Sequence, residues 1–156
     1  MRNIWLAADD AALTSQCRLD FFRSTGNGGQ KRNKCATAVR LIHEPSGLAV
    51  TCDAERSQHR NRALALQKLR RAIALNCRMP WSEGTCVDVM HLKQPQETAK
   101  LLDLLASCQY RLSDGAAKLD LSTAKLGKLL AQDSVLFAAL NRARQACGMT
   151  PLKADF

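Results

Sequence analysis

The spacing of apolar and polar positions changes along the chain, and each period predicts a different element. Residues 9–16 suit a short helix, and Cys17-Arg18-Leu19-Asp20-Phe21 alternates apolar and polar, the period of a half-buried strand. Strands are expected again at 37–43 and 48–53. Between them Glu44-Pro45-Ser46-Gly47 puts Pro and Gly where a type I turn prefers them, so these two strands form an antiparallel hairpin. From Ser57 to Asn76 the period becomes helical, with Leu66, Leu69 and Ile73 on one face. Arg56, Arg60 and Arg71 project from the opposite side, while Arg62 falls toward the apolar side, out of pattern.

Residues 79–95 contain Pro80, Gly84 and Pro95 and read as a connector. Helices are then expected at about 96–112, carrying Leu101, Leu102, Leu104 and Leu105, and at 114–119. A third begins with Ser122 as its N-cap. The last runs from Asp133 to Cys147, where Gly148 and Pro151 supply the stop. The helices around Asp120-Leu121 suit either a helix-turn-helix or a small bundle with no groove to read. The fold class predicted is α+β: a small antiparallel or mixed sheet with a long packed helix and a mobile loop, followed by a small all-α region. The domain division expected is 1–78, a linker at 79–95, and a helical region at 96–156.

The stretch 23–36 (RSTGNGGQKRNKCA) breaks every period and cannot pack, so it is a solvated loop. Gly26, Gly28 and Gly29 leave its backbone without side chains, and such a backbone can approach a reacting centre closely. Gln30 ends that bare stretch with a neutral amide. Its main-chain N–H can donate to an oxygen on which charge develops as water attacks an ester. Neither a P-loop nor a dinucleotide-binding fingerprint is present: there is no Gly-Lys-Ser/Thr, and the glycines do not open a helix after a parallel strand. Composition alone therefore stops at an RNA-binding module.

Charge sharpens that reading. Residues 17–78 hold thirteen basic and four acidic side chains, while 79–156 hold nine and eight, so nearly all of the net +9 sits in the first half. Such a segment calls for a polyanionic partner. Aromatics make up only 4%, which excludes wide base-stacking platforms. The seven cysteines form no CxxC pair and no cluster with zinc-ligand spacing, so reduced, mostly buried thiols are expected. Asp9 and Asp10 stand where a signal peptide would be apolar, and no apolar run is long enough to span a bilayer. A soluble, cytoplasmic protein without a metal is expected.

Three separated motifs, in order, resemble one known family. Ser24-Thr25-Gly26-Asn27-Gly28-Gly29-Gln30, His43-Glu44-Pro45-Ser46-Gly47 and Arg56-Ser57-Gln58-His59-Arg60-Asn61-Arg62 lie within Phe21–Ile73, about a third of the chain. That stretch resembles the catalytic domain of the class I peptide-chain release factors. The resemblance implies that the Gly28-Gly29-Gln30 tip is catalytic and enters the peptidyl-transferase centre of the large ribosomal subunit. There the Gln30 N–H would stabilise the transition state or the departing ribose hydroxyl, and its side chain would admit water. It further implies RNA contacts from Arg23, Lys31, Arg32, Asn33, Lys34, the run Arg56, Ser57, Gln58, His59, Arg60, Asn61 and Arg62, and Arg71. No diffusible cofactor is implied. The expected partners are large-subunit ribosomal RNA and peptidyl-tRNA, with no membrane and a monomer off the ribosome.

Departures from the family pattern make the loop more basic. The family usually carries Pro or Ala at Asn27, His-Val at Lys31-Arg32 and Thr at Cys35. Full-length release factors carry long flanking domains that read stop codons, which 156 residues do not accommodate. The chain is therefore similar to the short release-factor-like proteins that rescue stalled ribosomes, releasing peptide without a codon. Two alternatives remain: a ribosome- or RNA-binding factor without hydrolysis, and a conditional release factor directed by its helical C-terminal region.

Overall fold

A computed structural model describes residues 1–23 and 36–153. These form two compact units, Met1–Ile73 and Ala74–Phe156.

The first unit opens with α1 (Arg2–Ala7) and α2 (Asp10–Ser15), followed by β1 (Cys17–Phe22), β2 (Ala38–His43) and β3 (Leu48–Cys52). The strands make one antiparallel sheet in the order β1-β2-β3. Asp9 caps α2 by accepting from Ala12 N at 2.7 Å, so the expected helix at 9–16 is present with Asp9 outside it. Helix α1 has no counterpart in the expectation; it is only six residues long, and its Leu6 is buried. The β2–β3 turn closes through Gly47 N to His43 O at 2.8 Å, one residue wider than the type I turn expected, and Gly47 takes φ +69°. A left-handed residue there suits glycine.

Register aligns the rows Leu19–Leu41–Val50 and Cys17–His43–Leu48 across the sheet. Val39, Leu41 and His43 are buried while Arg40 is exposed, which is the alternation of a sheet covered on one face. The long helix α3 (Gln58–Asn76) supplies Ala65, Leu66, Leu69 and Ile73 to the core, and burying each large side chain contributes about 2 kcal/mol. Arg62 is exposed: near the start of α3 its position turns to water, unlike the buried positions one and two turns later.

In the second unit a short 3₁₀ turn (Val89–His91) precedes α4 (Pro95–Ser107), α5 (Leu112–Lys118), α6 (Thr123–Ala131) and α7 (Ser134–Ala146). Leu101, Leu104, Leu105, Leu126, Leu130, Leu136 and Leu140 are fully buried and form its core. The stretch expected as a connector belongs to this core, because Val87 and Leu92 are buried in it. Two buried carboxylates of α4 hold that stretch by its backbone: Glu97 accepts from Asp88 N at 2.7 Å and Asp103 from Met79 N at 3.0 Å. The boundary between the units falls between Ile73 and Ala74, within the long helix, rather than in Pro- and Gly-containing sequence.

Helix α4 stops at Ser107, five residues before the expected end. Gln109 N bonds to Ala106 O and Tyr110 N to Leu105 O, with Gln109 and Tyr110 at φ 51° and 57°. The same pair of capping bonds ends α5 at Asp120 (φ 54°) and α7 at Gly148 (φ 73°). Ser122 and Asp133 cap α6 and α7 as expected. Helices α5 and α6 are joined by the four-residue turn 119–122, as in a helix-turn-helix, while both bury apolar faces in the bundle core. The thiols are less buried than expected: among the described cysteines Cys52 and Cys108 are buried, but Cys86 and Cys147 are exposed.

Candidate functional site

The β1–β2 connection defines the site. Phe22 and Ala38 are register partners, so the chain leaves and rejoins the sheet at one end, and 23–37 spans the gap between neighbouring strands. Gly28, Gly29, Gln30, Lys31, Arg32, Asn33 and Lys34 lie outside the described residues. The loop's two stems are described. Arg23 is exposed on the first stem, beside Phe21 and Phe22, which are 46% and 36% exposed. Exposed aromatics at a strand end were not singled out from sequence, because strand alternation placed Phe21 on the buried row. They stay uncovered because β1 is an edge strand whose last residues run to the end of the sheet.

The second stem, Ala36-Thr37, is held by the beginning of α3. Gln58 Nε2 donates to Ala36 O at 3.1 Å, and Asn61 Nδ2 donates to Thr37 O at 2.8 Å. The first turn of α3 therefore stands at the base of the loop. Arg56, Ser57, Gln58, His59, Arg60 and Arg62 are all exposed there, and Arg71 is half-buried farther along the helix. Ser57 Oγ accepts from Arg60 N at 3.4 Å, a weak N-terminal cap. Glu55 lies 3.8 Å from Arg60, a long, solvent-screened pair that leaves the face cationic.

Asn61 departs from the exposed run. It is 0% exposed, and its amide is spent inside the protein, so it is not a surface contact for RNA as the motif suggested. Besides Thr37, Nδ2 donates to Glu55 O at 2.8 Å, and Oδ1 accepts from Glu55 N at 2.8 Å and Cys52 Sγ at 3.7 Å. Helical spacing explains the difference, since Asn61 shares the buried side with Ala65 and Leu69, four and eight residues on.

His43, from the second motif, lies in the core beneath the sheet rather than at the loop. Its Nδ1 is 2.7 Å from Ser46 Oγ and its Nε2 is 3.3 Å from Gln16 Oε1. Burial holds its pKa below the ordinary histidine value. Among the described residues no group of three or more His, Cys, Asp or Glu side chains could hold a metal ion, and no helix is long and apolar enough to cross a membrane.

The model of the RF-1 domain matches residues 11–100, more than half of the chain. The protein belongs to the RF-1 domain family. The match includes both loop stems, the exposed first turn of α3 and the Gly28-Gly29-Gln30 segment. Among relatives, the chain is 55% identical over 56 residues to "Peptide chain release factor 2" of Paramagnetospirillum magneticum, covering 36% of this chain and 15% of that protein. It is 50% identical over 62 residues to "Peptide chain release factor 1" of Novosphingobium aromaticivorans, covering 40% of this chain and 18% of that protein. The likeness thus spans less than a fifth of these relatives' length. Residues beyond 100 lie outside the family match.

Proposed function

We propose that this protein hydrolyses the ester of peptidyl-tRNA in the peptidyl-transferase centre, acting without a codon on stalled ribosomes. The observation that carries the reading is the junction of two parts within the family match. The exposed cationic turn Arg56–Arg62 is hydrogen-bonded to the stem from which Gly28-Gly29-Gln30 extends. Cations at the base of the loop neutralise ribosomal RNA phosphates, which positions the loop without reading sequence. At the tip, Gly28 and Gly29 let the main chain approach the ester, and the Gln30 N–H donates to the oxygen that gains charge. The Gln30 side chain orients water and excludes larger nucleophiles. Arg23, Lys31, Arg32, Asn33 and Lys34 hold the stems against phosphate, and no cofactor takes part.

Codon independence rests on the coverage of the likeness. It includes the Gly-Gly-Gln region, and the helices beyond residue 100 fall outside the family match. The test is single-turnover release of peptide from ribosomes stalled on messages lacking a stop codon. Wild type should release peptide, and Gly29→Val should slow release by about 10²-fold or more while still binding the ribosome. Ribosome binding by wild type without release would favour the non-hydrolytic binder instead.

A further inference from the structure

We infer that Asn61 is a positioning residue for the Gly28-Gly29-Gln30 segment, acting with Gln58 through the main chain at Ala36-Thr37. The inference rests on the hydrolase reading for its catalytic consequence, but the clamp itself stands on geometry.

Strand β2 starts at Ala38, so the register leaves the carbonyls of Ala36 and Thr37 beyond the described ladder. Side-chain amides from α3 take them up, Gln58 bonding Ala36 O at 3.1 Å and Asn61 bonding Thr37 O at 2.8 Å. A carboxamide has two donor hydrogens and an acceptor oxygen. Asn61 uses both donors, on Thr37 O and Glu55 O, and uses its oxygen on Glu55 N. One buried side chain thus ties three pieces of chain together: the loop stem, the β3–α3 turn and α3.

Few other side chains satisfy this set. Aspartate would face the two carbonyls with acceptors only, and alanine or leucine would leave the Thr37 and Glu55 carbonyls and the Glu55 N–H without this partner. Such a joint exceeds what helix packing needs, because Leu66, Leu69 and Ile73 already bury the face of α3.

The consequence is one of leverage. Gln30 precedes Ala36 by six residues in the sequence, a contour length of roughly 20 Å. The direction in which the stem leaves α3 therefore limits where the tip can reach. A misplacement of about 1 Å at a reacting centre costs about 10²-fold in rate. Binding draws on the exposed side chains of Arg56, Arg60 and Arg62, none of which takes part in the clamp.

The experiment compares wild type, Asn61→Ala, Asn61→Asp and Gln58→Ala, all in the full chain. Single-turnover release is measured against protein concentration on non-stop ribosome complexes, and hydrogen exchange is followed at residues 36–38. Asn61→Ala and Asn61→Asp should lower the maximal rate by about 10- to 100-fold and shift the half-saturating concentration by less than about 3-fold. Gln58→Ala, at an exposed position, should fold normally and lose about 3- to 10-fold on the same axis. Exchange at 36–38 should speed up in all three variants. The clamp is overturned by unchanged exchange, by an Asn61→Asp protein that behaves as wild type, or by losses confined to the half-saturating concentration. Wild type that leaves the ester intact removes the hydrolase reading and leaves the exchange result to decide the clamp by itself.

Discussion

The rings of Trp5 and His43 meet edge to face, with centroids 4.9 Å apart and planes at 75°. This pairing joins α1 to β2 and closes over a fully buried imidazole. Ser46 Oγ accepts from Leu48 N at 3.3 Å and so has its hydrogen free for His43 Nδ1, which leaves Nε2–H to donate to Gln16 Oε1. That arrangement suits the neutral ring. Because burial lowers the folded-state pKa, the unfolded chain binds the proton more readily, and stability rises with pH across that window. The contribution is complete above the unfolded histidine value of about 6.5 and is lost as pH falls through the folded value. Urea denaturation at pH 5 to 7.5 should show this slope in wild type and a flatter one in His43→Phe. Equal slopes would exclude His43 as the titrating group.

Arg70 binds the N-terminal helices to α3. Its Nη1 lies 2.6 Å from Asp10 Oδ1 and its Nη2 donates to Ala8 O at 2.7 Å. Asp10 is exposed, so solvent screens the charge pair and most of the value lies in holding the carbonyl. Arg70→Met should cost about 1–2 kcal/mol and Asp10→Asn less than about 1, read from denaturation midpoints. A larger loss for Asp10→Asn would mean that the ion pair dominates.

Three helix ends of the second unit share one capping geometry but differ in the residue that turns left-handed. Gln109 bears a side chain at φ 51°, where glycine is favoured, whereas α7 already uses Gly148. Gln109→Gly should raise stability by about 0.5–1 kcal/mol, and Gly148→Ala should lower it by about 1. Thermal melting of the full chain would check both. Destabilisation by Gln109→Gly would show that its side chain contributes more than its backbone strain costs.

Charge at the base of the loop should govern ribosome affinity. Reversing Arg56 and Arg60 to Glu should weaken binding at low salt and flatten its salt dependence, by about 0.7–0.9 in slope for each phosphate no longer neutralised. Titrations of large subunits at several salt concentrations measure this. Parallel curves for variant and wild type would place the RNA-binding face elsewhere.

The strands, the long helix and the four later helices were legible because each has its own period, and the caps Ser122 and Asp133 are local chemistry. The Gly-Gly-Gln segment and the basic first turn of α3 were equally readable, since composition along a short stretch carries them. What sequence could not separate was Asn61 from its neighbours: all seven residues from Arg56 to Arg62 look polar, yet only Asn61 is buried. Its role depends on Thr37 and Glu55, brought to it by the sheet, and no local pattern records that meeting. The same holds for residues 79–95, whose Pro and Gly suggest a linker until Glu97 and Asp103 are seen holding their backbone. By itself the sequence determined the elements after α1 and the distribution of charge. Tertiary structure alone decided which polar side chains face water and which are used up as joints, because a hydrogen bond between distant residues exists only once packing sets them within about 3 Å.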